Sequence, residues 1–234
     1  MTDADEKTIV ISDIHSFVKH VLERSSEREF FYRGHASVDF ALMPSIGRNV
    51  NYTEELEKSV FLEFKKNYYS YTDERPQSDI DLLFLGQHYG LPTRLLDWTY
   101  NPMIALYFAC EENKDTDDKD GCIYAVSIPQ DAKLCDSETS DKMPKTIDEV
   151  LKIKDRKFVV PNYTDARFKN QKALFILCDS PTEPLPIAKK AFVIKHDAKK
   201  QIAHDLAVLG YDRTLVYPLL ESLCADIKKS KGFK

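Results

Sequence analysis

Residues 86–110, GQHYGLPTRLLDWTYNPMIALYFAC, constrain this chain more than any other stretch. They hold the single Trp of the protein and set a His, a Thr, an Arg and an Asp close together, just ahead of the most apolar run in the sequence. Gly90 suits the position after a helix end, where a left-handed backbone costs Gly nothing. Pro92 has no N–H to give and drives Leu91 toward extended geometry. Asn101-Pro102 is a helix start, with Asn as N-cap and Pro at the first helical position. Residues 103–110 have no polar face, so their helix is expected to be buried, with Ile104, Leu106 and Phe108 nearly inaccessible. The stretch therefore reads as a helix end, a polar loop over 93–101 and a buried helix. A charged loop anchored in a core is a good place for a site.

The rest of the chain is arranged around it. Apolar residues from Ile11 to Leu22 recur at helical spacing behind Ser12 as N-cap. Residues 29–33 read as an aromatic strand closed by Gly34, and 37–51 as a loop. Thr53 caps a second helix, and a third runs from Ser78 to Gly90. Residues 111–121 are acidic without an apolar side chain. They lack the ligand spacing and closing Glu of a calcium loop and read as a solvated connector. Beyond it, short strands are expected at 122–128, 158–160, 173–178, 191–195 and 214–217. A polar loop is expected over 129–145, and helical pieces at 146–153, 165–170, 201–209 and 219–228. Helices dominate the first half and short, mostly antiparallel strands the second. There is no βαβ alternation and no internal repeat, so the fold class is α+β in a single domain over 1–234.

The 234 residues are enough to bury a core. A formal charge of −5 gives no bulk electrostatic pull toward nucleic acid, which leaves such binding to a local patch. The five Cys are scattered without a Cys-x-x-Cys pair, the N-terminus is acidic, and no apolar run is of membrane-spanning length. These features together suit a reducing, cytoplasmic setting. No phosphate-cradling glycine loop and no His-Glu-x-x-His occurs, and no metal site is expected.

Three places carry chemistry. Arg33, between an aromatic strand and Gly34, can offer a rigid fork of donors to phosphate or carboxylate, or can serve as a structural partner of an acid such as Asp97. In the 86–110 stretch, His88 can titrate near neutral pH, Thr93 supplies a hydroxyl and Arg94 a positive charge. Alternatively, Arg94 and Asp97 form a buried pair that holds the loop, and for Asp97 and Trp98 the structural reading is preferred. Gln171 follows Arg167 by four residues, which places both on one face of a helical turn.

Phe31-Tyr32-Arg33-Gly34, the run from Gln87 to Thr99, and Pro102 with residues 105–109 resemble the FRG domain, a family of mostly bacterial and phage proteins named for Phe-x-Arg-Gly. Arg167 and Gln171 resemble a third, weaker block, in which Ala173 departs from the Gly expected there. The order of elements also resembles ADP-ribosyltransferases, with Arg33 in a Tyr-Arg-Gly, Thr93 on the hydroxyl-bearing segment, and Gln171 where that family carries an acid. The resemblance implies an NAD-binding site. Arg33, Thr93, Gln171 and His88 would be its catalytic set, and Arg33, Gly34, Thr93, Arg94 and Tyr107 would contact the cofactor. In such a reaction an Arg holds phosphates while a carboxylate stabilises positive charge on the ribose, which an amide at 171 does not supply. The family setting implies a toxin-like or phage-defence role. The other reading is a non-catalytic module that recognises a nucleotide, a nucleic acid or a protein.

Overall fold

The computed structural model describes residues 7–25, 29–111, 115–127, 135–136, 143–161, 166–186 and 189–231. In chain order the elements are β1 (Ile9–Ile11), α1 (Ile14–Arg24), β2 (Phe30–His35), α2 (Glu54–Asn67), α3 (Asp79–His88), β3 (Leu95–Thr99), α4 (Pro102–Ala109), β4 (Gly121–Ser127), β5 (Cys135–Asp136) and α5 (Ile147–Leu151). They continue with β6 (Lys157–Val160), α6 (Ala166–Asn170), β7 (Ala173–Leu177), β8 (Lys189–Ile194), α7 (Lys199–Val208), α8 (Arg213–Val216) and α9 (Leu220–Ser230). The strands form one sheet in the order β1-β8-β4-β2-β3-β7-β6-β5. The outer pairs β1–β8 and β5–β6 are parallel and the pairs between them antiparallel, so the α+β class holds.

Helix starts follow local chemistry. Asp13, Thr53, Ser78 and Thr146 each accept a hydrogen bond from a backbone N–H two or three positions into the following helix, and Thr146 forms a capping box with Glu149. Asn101 caps α4 through the Met103 N–H, with Pro102 behind it. Gly90 lies at φ 86 just past α3, the left-handed conformation expected of it.

The sheet buries both faces. Phe30, Tyr32, Ile123 and Ala125 pack under α1, α4 and α7, while Leu95, Phe175 and Leu177 pack under α2, α3 and α5. The opposite face carries Phe31, Leu96, Trp98, Tyr124, Leu174, Ile176 and Cys178, and the residues that cover it, Leu42 and Leu185 among them, lie outside the helices. The two sides are called here the helical face and the loop face. On the helical face α4 lies directly on β2: a Cβ at Gly34 would sit 1.9 Å from Ala105 O, so only Gly fits there.

Several expectations change. The polar loop of 93–101 is largely strand β3, at the centre of the sheet, because Leu95, Leu96 and Trp98 alternate into the two faces. Residues 213–216 are a helical turn, not a strand, with the Asp212 side chain capping Leu215 N. The N-cap of α1 is Asp13, not Ser12, and the residues just before it form a parallel edge strand. Strand β2 runs through Gly34 to His35. Strands β1, β2 and β3 precede residue 100, so the sheet draws on both halves of the chain. Ile104 and Leu106 are inaccessible, but Phe108 is only half-buried, because α4 turns it toward Tyr217 instead of the sheet. Most of the expected 129–145 loop and part of the 111–121 connector lie outside the described residues. Cys110, Cys122, Cys135 and Cys178 are buried thiols and Cys224 is exposed. Among the described residues no helix is long and apolar enough to cross a membrane.

Candidate functional site

The site grows from the join between β2 and β3. These strands are in register only at Tyr32 and Thr99, and beyond that pair they part. The Arg33 side chain fills the opening. Its Nη1 donates to Asp97 O at 2.6 Å and lies 3.5 Å from Asp97 Oδ2, and its Nε donates to His35 Nε2 at 3.0 Å. The backbone hydrogen bonds that the strands no longer exchange are thus partly replaced by a guanidinium. Only 17% of the Arg33 side chain is exposed. Among the described residues its Nη2 has no hydrogen-bond partner.

A chain of side chains runs on from Arg33. Gln87 Nε2 donates to Asp97 Oδ2 at 2.8 Å, Thr93 Oγ1 donates to Gln87 Oε1 at 2.7 Å, and Ser45 Oγ accepts from Thr93 N at 3.2 Å. Thr93 is fully buried and also accepts from Leu95 N, so its hydroxyl orients Gln87 and begins β3. Asp97 is the exposed member, with 48% of its side chain accessible.

The electrostatics around Arg33 favour an anion. Burial, then Arg33, Arg48 and Lys190, push the His35 pKa down from 6.5 to about 3, so the ring is neutral. Its Nε2 accepts from Arg33, which fixes the proton on Nδ1. Burial lowers the Arg33 pKa, against the pull of Asp97, but the group stays cationic.

The other anticipated site residues lie elsewhere. Arg94 is fully buried and shares no hydrogen-bond partner with Arg33. It forms a bidentate pair with Glu57, Nε to Oε1 at 2.8 Å and Nη2 to Oε2 at 2.7 Å, and also donates to Tyr52 and to Val150 O. Burial opposes its charge, but the bonds to Glu57 prevail and raise its pKa. Its partner is therefore an acid of α2, not Asp97, and it offers no donor to a ligand. Gln171 is buried at the opposite end of β3, where its Nε2 donates to Val216 O at 2.9 Å and its carbonyl accepts from Thr99. Arg33, Thr93 and Gln171 therefore do not meet in one cleft. His88 borders a separate cavity of about 280 Å³ with Phe84, Phe168 and Arg75, and Arg167 donates to its carbonyl. Tyr107 packs near Tyr217, on the far side of α4. Gly34 shapes the site by admitting α4, as described above.

His35, Ser45 and Gln87 are the site residues that sequence reasoning missed. Position 35 is two beyond Arg33, the spacing that puts both on one face of a strand, but that signal fails once the strand is ended at Arg33. Among the described residues no group of three or more His, Cys, Asp or Glu is placed to hold a metal ion.

Residues 28–118 match the family model described as the FRG domain. No curated protein and no solved structure matches the chain. The matched span contains the whole network of Arg33, His35, Ser45, Gln87, Thr93 and Asp97 and stops well short of Gln171. The Phe-x-Arg-Gly that closes α4 onto the sheet and the later run that forms β3 meet at Arg33, and the chain carries an FRG domain in residues 28–118.

Proposed function

We propose that this FRG domain recognises a phosphate-bearing nucleotide at Arg33, with NAD as the ligand that the order of elements favours. The observation that supports this is the state of Arg33. Its guanidinium is locked by Asp97 O and His35 Nε2, and its remaining nitrogen has no hydrogen-bond partner among the described residues. A donor fixed in advance loses little freedom on binding, and a planar fork suits phosphate oxygens. Arg48 and Lys190 reinforce the positive field, and Asp97 reduces it. The residues fit the phosphate end of NAD. They do not place a carboxylate at position 171, whose amide is already used by Val216.

In the thermal-melt test, NAD raises the melting temperature by binding the folded state, and Arg33→Lys abolishes that rise measured against the variant's own baseline, which is itself lower because Lys cannot make both the bond to Asp97 O and the bond to His35 Nε2. A wild-type protein that NAD, ADP and oligonucleotides all fail to stabilise refutes the reading. Stabilisation by oligonucleotide alone moves the target to nucleic acid.

A second, catalytic reading has one observation in its favour. Asp97 puts a half-exposed carboxylate beside Arg33, the charge that Gln171 does not provide. Asp97→Asn separates the two. Pure recognition of a phosphate gains affinity when that negative charge goes, whereas NAD cleavage is lost. A toxin-like or phage-defence role in a bacterial cell belongs to the catalytic reading and is checked by whether growth inhibition on expression requires Arg33 and Asp97.

A further inference from the structure

Helix α9 shows its apolar side chains to water and its polar ones to the domain. It packs chiefly against α8, and among the described residues none of its side chains enters an apolar cluster of the core. Ser222, 2% exposed, and the partly buried Asp226 are turned to the domain. Leu220 is 73% exposed, Leu223 47% and Ile227 52%, with Leu219 just ahead of the helix at 48%. Cys224 is exposed as well. At about 100° per residue these five side chains fall within an arc of roughly 140°, one continuous stripe beside the sector of Ser222 and Asp226. An amphipathic helix normally buries its apolar stripe against its own domain, and a stripe left in water marks an interaction surface.

The charges on one flank of the stripe indicate what covers it. Glu221 and Lys228 are exposed and lie about 20° apart around the helix axis, both on the Cys224 side. Neither has an opposite charge three or four residues away, and neither forms an ion pair among the described residues. Leu220 and Ile227 are centred between positions 223 and 224, and Glu221 and Lys228 between 224 and 225. Apolar ends and opposite charges are thus arranged about nearly one point, which is the self-complementary pattern that a two-fold axis requires. With two copies laid antiparallel, Leu220 meets Ile227 of the second copy, Leu223 meets its Cys224, and Glu221 comes within a turn of its Lys228. An anionic membrane surface would instead be opposed by Glu221 and by the net charge of −5.

We infer that α9 is a self-association surface, on which a second copy of this chain lays its own α9 antiparallel. The inference is independent of the Arg33 reading and concerns a helix outside the matched family span. A helix of 11 residues is about 16 Å long. Alone it covers less than the ~800 Å² per partner of a standard interface, so the dimer is weak and depends on concentration.

The test is sedimentation of the full chain over a range of concentrations, alongside Leu223→Asp, Glu221→Lys, Lys228→Glu and the double exchange Glu221→Lys with Lys228→Glu. The wild type should shift toward dimer as concentration rises. Leu223→Asp should weaken dimerisation at least tenfold and leave the melting temperature of the dilute protein unchanged, because Leu223 lies outside the core. Each single charge reversal should weaken the dimer, and the double exchange should restore it, since the same pair forms with its charges traded. Diamide, which takes up the two thiol hydrogens, should link wild-type dimers through Cys224, exposed where the other four Cys are buried, and Cys224→Ser should prevent the link. A wild type still monomeric at about 1 mM overturns the inference. So does a dimer that Leu223→Asp leaves intact, or one that the double exchange fails to restore. Monomer binding to anionic vesicles that Leu223→Asp abolishes assigns the stripe to a membrane surface and also overturns it.

Discussion

Arg94→Met tests whether the second Arg of the 86–110 stretch is architecture. Arg94 has 1% of its side chain exposed and Glu57 has 3%. The bidentate pair is completed by Tyr52, which donates to Glu57 Oε2 at 2.7 Å, and by Val150 O, which Arg94 Nη1 reaches at 3.2 Å. The network therefore ties α2 and α5 to the start of β3. Removing the guanidinium strands a carboxylate with one neutral donor in a place water does not reach. Breaking a buried pair from one side costs about 3–5 kcal/mol. For a chain of this size each kcal/mol moves the melting temperature by about 2–4 °C, so a drop of roughly 6–20 °C is expected. Glu57→Met alone should cost a similar amount. The double variant should be more stable than either single one, since an apolar pair leaves no uncompensated charge. Thermal and urea unfolding of the four proteins measure the cycle. Arg94→Met melting within about 2 °C of wild type, well inside the expected drop, would refute this account. So would a folded Arg94→Met that has lost nucleotide-dependent stabilisation, which would return Arg94 to the binding site.

Leu106→Ala should cost about 2–5 kcal/mol, and Phe108→Ala clearly less, because Leu106 is inaccessible and Phe108 half-buried; urea unfolding ranks the two. Neutral His35 makes stability depend on pH. The folded ring resists protonation down to about 3 while the unfolded chain takes a proton below 6.5. Stability should therefore fall with falling pH across that window, by up to about 1.4 kcal/mol per unit, and His35→Gln should flatten the decline measured between pH 6.5 and 5. Gln171→Glu should not create a catalytic carboxylate. It turns a donor to Val216 O into a buried charge, so at pH 8 it should destabilise by about 1–3 kcal/mol or more, and less at pH 5, where a protonated acid can donate again; melting at the two pH values decides.

Local signals in the sequence determined the helix starts and the class of the fold. The caps at Thr53, Ser78, Asn101 and Thr146 are chemistry between residues a few positions apart, so they survive without tertiary context. The family blocks were legible as well, and they brought Arg33 and the 87–99 run to attention together. The meaning of the charged residues in that run was decided only in three dimensions. A Thr, an Arg and an Asp over 93–97 look like a loop because polarity along the chain says nothing of a strand whose polar groups are paired across the sheet. Arg94 found its acid 37 positions back, at Glu57, and Arg33 its acceptor 64 positions on, at Asp97. Gln171 was spent on a carbonyl of a turn that reads as a strand in isolation. Which arginine has all its nitrogens bonded and which keeps one unbonded depends on how β2 and β3 part, a property of strand packing that no spacing in the sequence encodes.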